Sequence, residues 1–348
     1  MKLEAAILAL LPFLLQPVYP QKADPAEVRT PDPATLRLTS DVRSQFLGPA
    51  FNRVACDDAG NLYARRYVPG AKGTEPIQKI APTGAVVRSF DANANPQDPF
   101  SINDFFVSPD GALYLLGWST EHVHSGSRVY LLRYGRDGSF ISKTQVTSDE
   151  YFFPYNLAVF SSGAFVLTGV AGKDDNTPFT AVFSRSGNLV AKISEPEDDE
   201  LRKAAEEGDS AAHDERLSGN AAVELGRVGA GPDGNVYVMR RTSQALIYVI
   251  SPNGRVVRKL HIDSSDPAVH PRDLQFSARG LAVSFPGEGA ATMLRTADLN
   301  GKEMRTYHAE ASAHPGVLAC YDSSSLTFLS QQEGTRGYAH IVKLALKK

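Results

Sequence analysis

The sequence has little cysteine, little net charge and few long apolar runs, and each shortage excludes a class of protein. Two cysteines in 348 residues cannot hold a disulfide-rich scaffold together. The 36 basic and 39 acidic residues nearly balance, which gives no electrostatic reason to expect nucleic-acid binding. Outside the N-terminus no apolar run approaches the ~18 residues of a membrane-spanning helix. The apolar content of 42% is too high for a disordered chain.

The N-terminus has the pattern of a secretory signal peptide. Lys2 precedes an apolar run from Ala5 to Leu15, and such a run behind a basic start is typical of a signal peptide rather than of a membrane span. We therefore predict a signal peptide at 1–23 and an exported mature domain at 24–348, in the periplasm or outside the cell. The alternative is a buried N-terminal helix.

A strand–turn–strand unit recurs along the mature chain. Each copy has an apolar strand, a tight turn and a second strand that opens on an apolar residue. Pro-Asp-Gly at 109–111 and 232–234 favours such a turn, because Pro presets φ and Gly accepts positive φ. The turns are centred on positions 60, 111, 163, 234, 280 and 324. A second hairpin follows each of the first five copies, and four strands every ~40–50 residues are typical of a propeller blade.

The sixth unit ends after three predicted strands, at about 317–322, 326–331 and 338–346. A spare strand at 34–39 would complete it, which closes a ring and removes two exposed sheet edges. We therefore predict an all-β fold, a six-bladed β-propeller with four antiparallel strands per blade, closed by an N-terminal strand that completes the last blade. The alternative is an open or two-domain β protein.

The fourth unit carries a family resemblance. Residues 231–238 read Gly-Pro-Asp-Gly-Asn-Val-Tyr-Val, and residues 247–254 read Ile-Tyr-Val-Ile-Ser-Pro-Asn-Gly. Together they resemble one NHL-type repeat, and the other units match it more loosely. The resemblance implies the wider superfamily of six-bladed, TolB-like propellers. That superfamily contains lactonases, lyases, receptors and interaction domains, so the fold alone does not choose a function.

Polar residues recur seven positions before the turns, where the first strand of each unit begins. They are Arg53, Asp104, Asn156, Arg227 and Asp273, with Val317 in the sixth unit. In a propeller these positions surround one mouth of the central channel, and convergent polar groups there are a candidate ligand site. Contributors beside them are Asn52, Asn103, Tyr155, Arg272 and the loop residues His122 and His124. The alternative is an internal network in which Arg53 and Arg227 pair with Asp104 and Asp273.

These features favour a binding or interaction module, monomeric, that holds a small molecule, glycan or protein at the mouth and its loops. The alternative implied by the resemblance is a metal-dependent hydrolase similar to the gluconolactonase-like propellers, which hold a divalent cation with carboxylates and an amide. Asp104, Asn156 and Asp273 are weak candidates for those ligands, but Arg53 and Arg227 would repel a cation. We assign no catalytic residue and no cofactor, because nucleophilic motifs such as Gly-x-Ser-x-Gly are absent.

An acidic insertion lengthens the segment between the turns of the third and fourth units. It spans about 195–218, and between 195 and 216 acidic residues outnumber basic ones by ten to three. Its pattern predicts a short helix. The helix is either a solvated flap or a lid over the same face.

The two cysteines occupy one repeat position. Cys56 and Cys320 lie in the first and last units, which become neighbours when the ring closes. They form either a disulfide that seals the closure or two buried free thiols.

Overall fold

A computed structural model gives the fold. It describes residues 34–70, 74–93, 100–119, 128–149, 151–171, 177–193, 227–240, 245–264, 269–286, 292–309, 315–322, 324–331 and 337–346. The regular structure in these ranges is β-strand throughout, without a helix. Met1–Asp32 and Pro33–Lys348 are separate compact units, and the first lies outside the described residues. So do the predicted signal peptide, His122, His124 and the acidic insertion.

Sixteen strands form four separate antiparallel sheets, each with its strands in chain order. The first sheet contains β2 (Ala50–Cys56), β3 (Leu62–Arg66), β4 (Ile77–Ile80) and β5 (Val86–Phe90). The second contains β6 (Phe100–Val107), β7 (Leu113–Ser119), β8 (Val129–Tyr134) and β9 (Phe140–Gln145). The third contains β10 (Phe152–Val159), β11 (Phe165–Ala171), β12 (Thr177–Phe183) and β13 (Leu189–Lys192). The fourth contains β14 (Arg227–Ala230), β15 (Val236–Met239), β16 (Leu246–Ile250) and β17 (Val256–His261).

The other strands form one eight-stranded sheet, in the order β18-β19-β20-β21-β1-β24-β23-β22. Their bounds are β1 (Ala34–Leu47), β18 (Asp273–Ser277), β19 (Gly280–Pro286), β20 (Thr292–Ala297), β21 (Arg305–Ala309), β22 (Val317–Tyr321), β23 (Ser325–Gln331) and β24 (Tyr338–Ala345). Strand β1 joins the two halves. Its residues 34–36 pair in parallel with β21, and residues 37–47 pair antiparallel with β24.

The sheet pattern therefore differs from the six separate four-stranded units that the repeat predicts. The structure has four such sheets and one of eight strands. The reason is the N-terminal strand, predicted at 34–39. It extends to Leu47 and hydrogen-bonds to two units at once.

Four of the six predicted turns, at 60, 111, 163 and 234, form with glycine at positive φ. In the two Pro-Asp-Gly turns, Gly111 and Gly234 have φ of 86° and 79°. The amide of Gly111 donates to Ser108 O at 2.8 Å, and that of Gly234 to Gly231 O at 3.1 Å. A residue with a Cβ atom is disfavoured in this left-handed region, so these turns depend on glycine.

An apolar residue at the first or second position of each second strand lies in the core. These residues are Leu62, Leu113, Phe165, Val236, Leu281 and Leu326, each 0% exposed. Full burial of a side chain of this size stabilises by about 1.5–3 kcal/mol. The first strands of the units contact one another in a closed cycle, β2 to β6, β10, β14, β18, β22 and back to β2. The sheets are thus arranged as in a propeller, with the starts of the first strands near one another.

Candidate functional site

The first strands β2, β6, β10, β14 and β18 carry the five predicted mouth residues. Arg227 and Asp273 begin their strands as predicted, whereas the other three lie in the middle of longer strands, since β2, β6 and β10 begin at Ala50, Phe100 and Phe152. Four of them form two polar clusters, and the fifth, Asn156, joins neither. We call these the Arg53 cluster, which contains Arg53 and Asp104, and the Arg272 cluster, which contains Arg227, Arg272 and Asp273.

In the Arg53 cluster one guanidinium group spans several first strands. Arg53 Nη1 donates to Asp104 Oδ2 at 3.0 Å, to Phe105 O at 3.0 Å and to Leu157 O at 2.8 Å. Its Nη2 atom donates to Val228 O. Asp104 Oδ2 also accepts from Leu157 N at 2.8 Å. The side chains of Arg53 and Asp104 are only 12% and 3% exposed, so the pair ties β2, β6, β10 and β14 together from within.

The electrostatics of Arg53 reflect this interior position. Burial lowers the pKa of its guanidinium, Asp104 opposes that effect, and the charge of Arg227 lowers the pKa further. An arginine stays protonated in proteins, so Arg53 remains a buried cation. Arg53 also donates to Val228 O, next to Arg227 in β14, so the two arginines lie near each other.

In the Arg272 cluster two guanidinium groups share one buried carboxylate. Arg272 Nε donates to Asp273 Oδ2 at 2.9 Å, and Arg227 Nη2 lies 3.8 Å from Asp273 Oδ1. The same carboxylate accepts from Ser284 Oγ at 2.8 Å and from Leu318 N at 3.2 Å. Asp273 is 4% exposed, whereas Arg227 is 22% and Arg272 31% exposed. The anion is therefore buried and the cations reach solvent.

The two clusters repeat one arrangement. In each, an arginine pairs with the aspartate of the next unit, and that aspartate accepts from a backbone N–H of the unit after it. The first set is Arg53, Asp104 and Leu157, and the second is Arg227, Asp273 and Leu318. The ion pair is longer in the second set, where Arg272 also occupies the carboxylate. The carboxylates of both aspartates are therefore paired with arginines of the protein itself.

The remaining predicted residues are placed differently. Asn156 donates through Nδ2 to Thr168 Oγ1 at 2.9 Å, within its own sheet. Asn103 donates through Nδ2 to Pro154 O. The side chain of Asn52 lies outside the described part of the chain, as do both loop histidines.

An aromatic row lies beside these residues, and of its three members only Tyr155 is among the predicted site residues. The rings of Trp118 and Phe153 have centroids 4.6 Å apart, and those of Phe153 and Tyr155 are 5.5 Å apart. All three side chains are partly exposed. The signal in the sequence is the single tryptophan at the end of a predicted strand, close to the aromatic residues that open the next unit.

The three weak metal candidates have different partners. Asp104 pairs with Arg53, Asp273 with Arg272, and Asn156 with Thr168. Within the described ranges, no group of three His, Cys, Asp or Glu side chains is arranged to hold a metal ion.

The cysteines lie at the contact between β2 and β22. Cys56 and Cys320 have Cα atoms 5.7 Å apart, with the sulfur atoms paired as a disulfide. Their separation of 264 residues means that this link joins the first unit to the last.

Comparison with known proteins shows the fold alone. No protein-family model matches the chain, and no curated protein sequence matches it. A protein of unknown function from Dyadobacter fermentans is similar in structure, with 10% identity, coverage of 90% of this chain and 99% of that one, and a TM-score of 0.50. One from Bacteroides caccae has 12% identity, coverage of 80% and 98%, and a TM-score of 0.43. YCF48 bound to D1 peptide has 10% identity, coverage of 92% and 97%, and a TM-score of 0.47.

The NHL resemblance remains one of local pattern, because no family model supports it. None of the described ranges contains a helix with the length and apolar content of a membrane span.

Proposed function

We propose that the eight-stranded sheet consists of two blades and that the protein is a six-bladed propeller closed by β1. The closed cycle of six first strands supports this. So does the hairpin between the third and fourth strands of each of the first five units, whose glycine packs on the outermost strand of the preceding unit. The contacts are Gly138 on Arg88 of β5, Gly187 on Gln145 of β9, Gly254 on Ala191 of β13 and Gly301 on Leu260 of β17. Gly84 packs in the same way on Arg43 of β1, which gives β1 the role of an outermost strand.

We propose that this propeller is an exported binding module whose mouth takes a ligand with a carboxylate group. The signal-peptide pattern at 1–23 supports export. The Arg272 cluster carries the proposal of an acidic ligand, because its carboxylate is 4% exposed while Arg227 and Arg272 are 22% and 31% exposed. Guanidinium groups bind carboxylates through charge-assisted hydrogen bonds. Arg272 already donates to Asp273 and to Gly316 O, and Arg227 Nε donates to Arg272 O, so their remaining Nη groups would bind the ligand.

The aromatic row would provide an apolar contact surface for the part of such a ligand that carries no charge. Trp118, Phe153 and Tyr155 are partly exposed and lie at the same ends of the strands as the mouth residues. Aromatic side chains combine a large apolar area with few rotatable bonds, which favours binding. A hydrolase would need Asp104, Asn156 and Asp273 to face one point, and their present partners favour binding instead.

The test is the double variant Arg227→Ala/Arg272→Ala. Asp273 keeps the hydrogen bonds from Ser284 and Leu318, but it loses both cations, so the variant should be folded and less stable than the wild type. Far-ultraviolet circular dichroism checks the fold before binding is measured. The probes are a panel of small mono- and dicarboxylic acids and a glutamate-rich peptide, each with its matched amide, in thermal-shift and titration-calorimetry measurements. We expect at least one acid to stabilise the wild-type protein and its amide to have no effect.

The double variant should bind that acid at least tenfold more weakly. Arg279→Ala is the matched control, because Arg279 is an exposed arginine in the turn after β18, at the opposite end of the strand. This control should bind like the wild type. Equal binding of acids and amides, or unchanged binding by the double variant, would contradict the proposal.

A further inference from the structure

A cavity of about 270 Å³ lies between the second and third sheets. Arg133, Ser142 and Thr144 line it from β8 and β9. Ser161 and Ser162 line it from the β10–β11 turn, and Arg185 from the β12–β13 turn. These turns follow the ends of their strands, so the cavity lies at the opposite end of the sheets from the mouth. It is a second candidate site, separate from both arginine clusters.

The lining of the cavity holds two guanidinium groups, several hydroxyl groups and no carboxylate. Arg133 lies over the ring of Tyr114, with its Cζ atom 5.5 Å from the centroid. Its Nε atom is buried and has no hydrogen-bond partner among the described residues. The cavity therefore has an excess of positive charge and of hydrogen-bond donors, which favours an anion.

Asp110, whose pKa the charge of Arg133 affects, makes its hydrogen bonds within its own turn. Asp110 accepts from Ser108 Oγ and from Ala112 N. The hydrogen bond from Ser108 is the main cause that lowers the pKa of Asp110, and the charge of Arg133 contributes less. Asp110 thus remains an anion at neutral pH without entering the lining of the cavity.

Gly163 makes room for the second arginine. Its φ is 85°, and a Cβ atom there would lie 3.1 Å from Arg185 Cδ. The alkyl part of Arg185 therefore rests on this turn while its side chain lines the cavity. The two arginines come from different sheets, so an anion between them would also bridge the sheets.

We propose that this cavity binds a small ligand with a phosphate or sulfate group, such as a phosphorylated or sulfated monosaccharide. Guanidinium and hydroxyl donors together suit a tetrahedral oxyanion. Tyr114, Leu131 and Ile141 form the apolar part of the wall and would contact the carbon skeleton. The volume is below the ~300–1,000 Å³ of pockets for drug-sized ligands but several times the ~30 Å³ of a water molecule, so a bare ion would not fill it.

The test uses glucose 6-phosphate, glucose 6-sulfate, inorganic phosphate, inorganic sulfate and glucose as probes at constant ionic strength. Binding is measured by titration calorimetry and by the shift in unfolding temperature. We expect saturable binding of one of the two sugar esters and none of glucose. The ester that binds more tightly identifies the group, phosphate or sulfate.

Arg133→Gln and Arg185→Gln each remove one charge with little change in size, and each should weaken binding at least tenfold. Arg279→Gln is the matched control, and it should bind within twofold of the wild type. If Arg133→Gln does not fold, Arg185→Gln decides the question, because Arg185 is exposed. The Arg227→Ala/Arg272→Ala protein should bind the ester normally, which separates this site from the mouth.

Three results would overturn the proposal. The first is that no anion binds saturably, and the second is that glucose binds as tightly as its esters. The third is that anions raise the unfolding temperature of all the variants equally. The last would show a general effect of ions on stability rather than a site.

Discussion

Two tyrosine hydroxyls are held by carboxylates that come from different backbone positions. Tyr63 donates to Asp57 Oδ2 at 3.1 Å, and Tyr237 donates to Asp233 Oδ2 at 3.0 Å. Both tyrosines belong to a Gly-Asn-x-Tyr sequence, but the aspartate lies three residues before the glycine in the first case and one residue before it in the second. A basic side chain completes each group, Lys79 at 3.0 Å from Asp57 and Arg258 at 3.0 Å from Asp233. Both units therefore contain the same cluster of a tyrosine, an aspartate and a basic side chain, although the aspartate and the basic residue come from different positions in the two units.

The Asp57 group is a buried ion pair whose protonation should affect stability. Burial disfavours the charged form of Asp57, but hydrogen bonds from Asn61 and Lys79 outweigh this and hold its pKa below 3.8. Because the pKa is depressed in the folded state, the stabilisation is present above the pKa of the unfolded chain. It is lost as the pH falls through the folded-state pKa.

Asp57→Asn should therefore destabilise the protein by about 3–5 kcal/mol at pH 7, since Lys79 would be left buried without an anion. The side chain of Lys79 is only 10% exposed. Urea unfolding at a series of pH values measures this. The difference in the free energy of unfolding between wild type and variant should narrow below pH 3.8 and stay constant above it. Asp149→Asn, at an exposed position after β9, is the control and should leave the unfolding midpoint at pH 7 unchanged. A gap independent of pH would contradict the assignment of Asp57 as the ionised partner.

Among the elements, β1 differs from the other outermost strands because it pairs with strands of two units. Its residues 37–47 pair with β24, and Gln45 N donates to Gly84 O at 2.6 Å. Its first residues, 34–36, cover β21. In the other units a hairpin glycine packs on the preceding outermost strand, but β24 has no such hairpin after it. The start of β1 therefore covers β21 where that hairpin is missing.

Gly84→Ala tests this contact. A Cβ atom at Gly84 would lie 2.5 Å from Arg43 O, and its φ is 86°, so the variant has both backbone strain and a clash with β1. Gly234→Ala is the matched control, because its φ is 79° and nothing lies within 4 Å of a Cβ atom. The control should lose about 1–2 kcal/mol from the left-handed conformation, and Gly84→Ala about 1–3 kcal/mol more from overpacking. Equal losses in chemical denaturation would show that β1 does not press on this turn.

Strands and turns were predictable where the signal is local. The apolar residues near the start of the second strands and the glycine turns at 60, 111, 163 and 234 follow from alternation and turn chemistry, and the structure places them as predicted. The turn predicted at 280 is displaced, because Gly280 is the first residue of β19. The partners of the mouth residues were not predictable in the same way. A β-bulge between Pro154 and Asn156 breaks the alternation on which a face is assigned, and the amide of Asn156 lies against Thr168.

Long side chains were a second limit on prediction. Arg53 donates to backbone oxygens of three other strands, and no local pattern specifies that reach. Arg272 was expected only to contribute beside the mouth, yet it donates to Asp273 at 2.9 Å. Arg133 and Arg185 come from different sheets, and only the packing of those sheets brings them to one cavity.

For the whole molecule, closure is concentrated between the first and last units. Gln275 Nε2 donates to Leu318 O at 3.2 Å and to Val54 O at 3.4 Å, so one side chain connects β18, β22 and β2. The cysteine pair joins β2 to β22, and β1 pairs with β24 and packs on Gly84. These links act on the same seam, so removal of one should weaken closure without abolishing the fold.

The double variant Cys56→Ser/Cys320→Ser tests the contribution of the disulfide to this closure. A crosslink between residues 264 positions apart restricts the unfolded chain strongly, and its loss should lower the free energy of unfolding by about 2–5 kcal/mol. Reduction of the wild-type protein with dithiothreitol should produce the same loss, whereas the reductant should not affect the variant. Urea unfolding with and without reductant measures both effects.

The fold of the variant serves as the control, and its far-ultraviolet circular dichroism should match that of the wild type, because β1 and Gln275 still hold the seam. A wild-type protein insensitive to reductant would mean that the two thiols are free. A variant that is unfolded at neutral pH would mean that the other links cannot close the ring alone. The intermediate result, a folded but less stable variant, is the one that a seam held by several independent contacts requires.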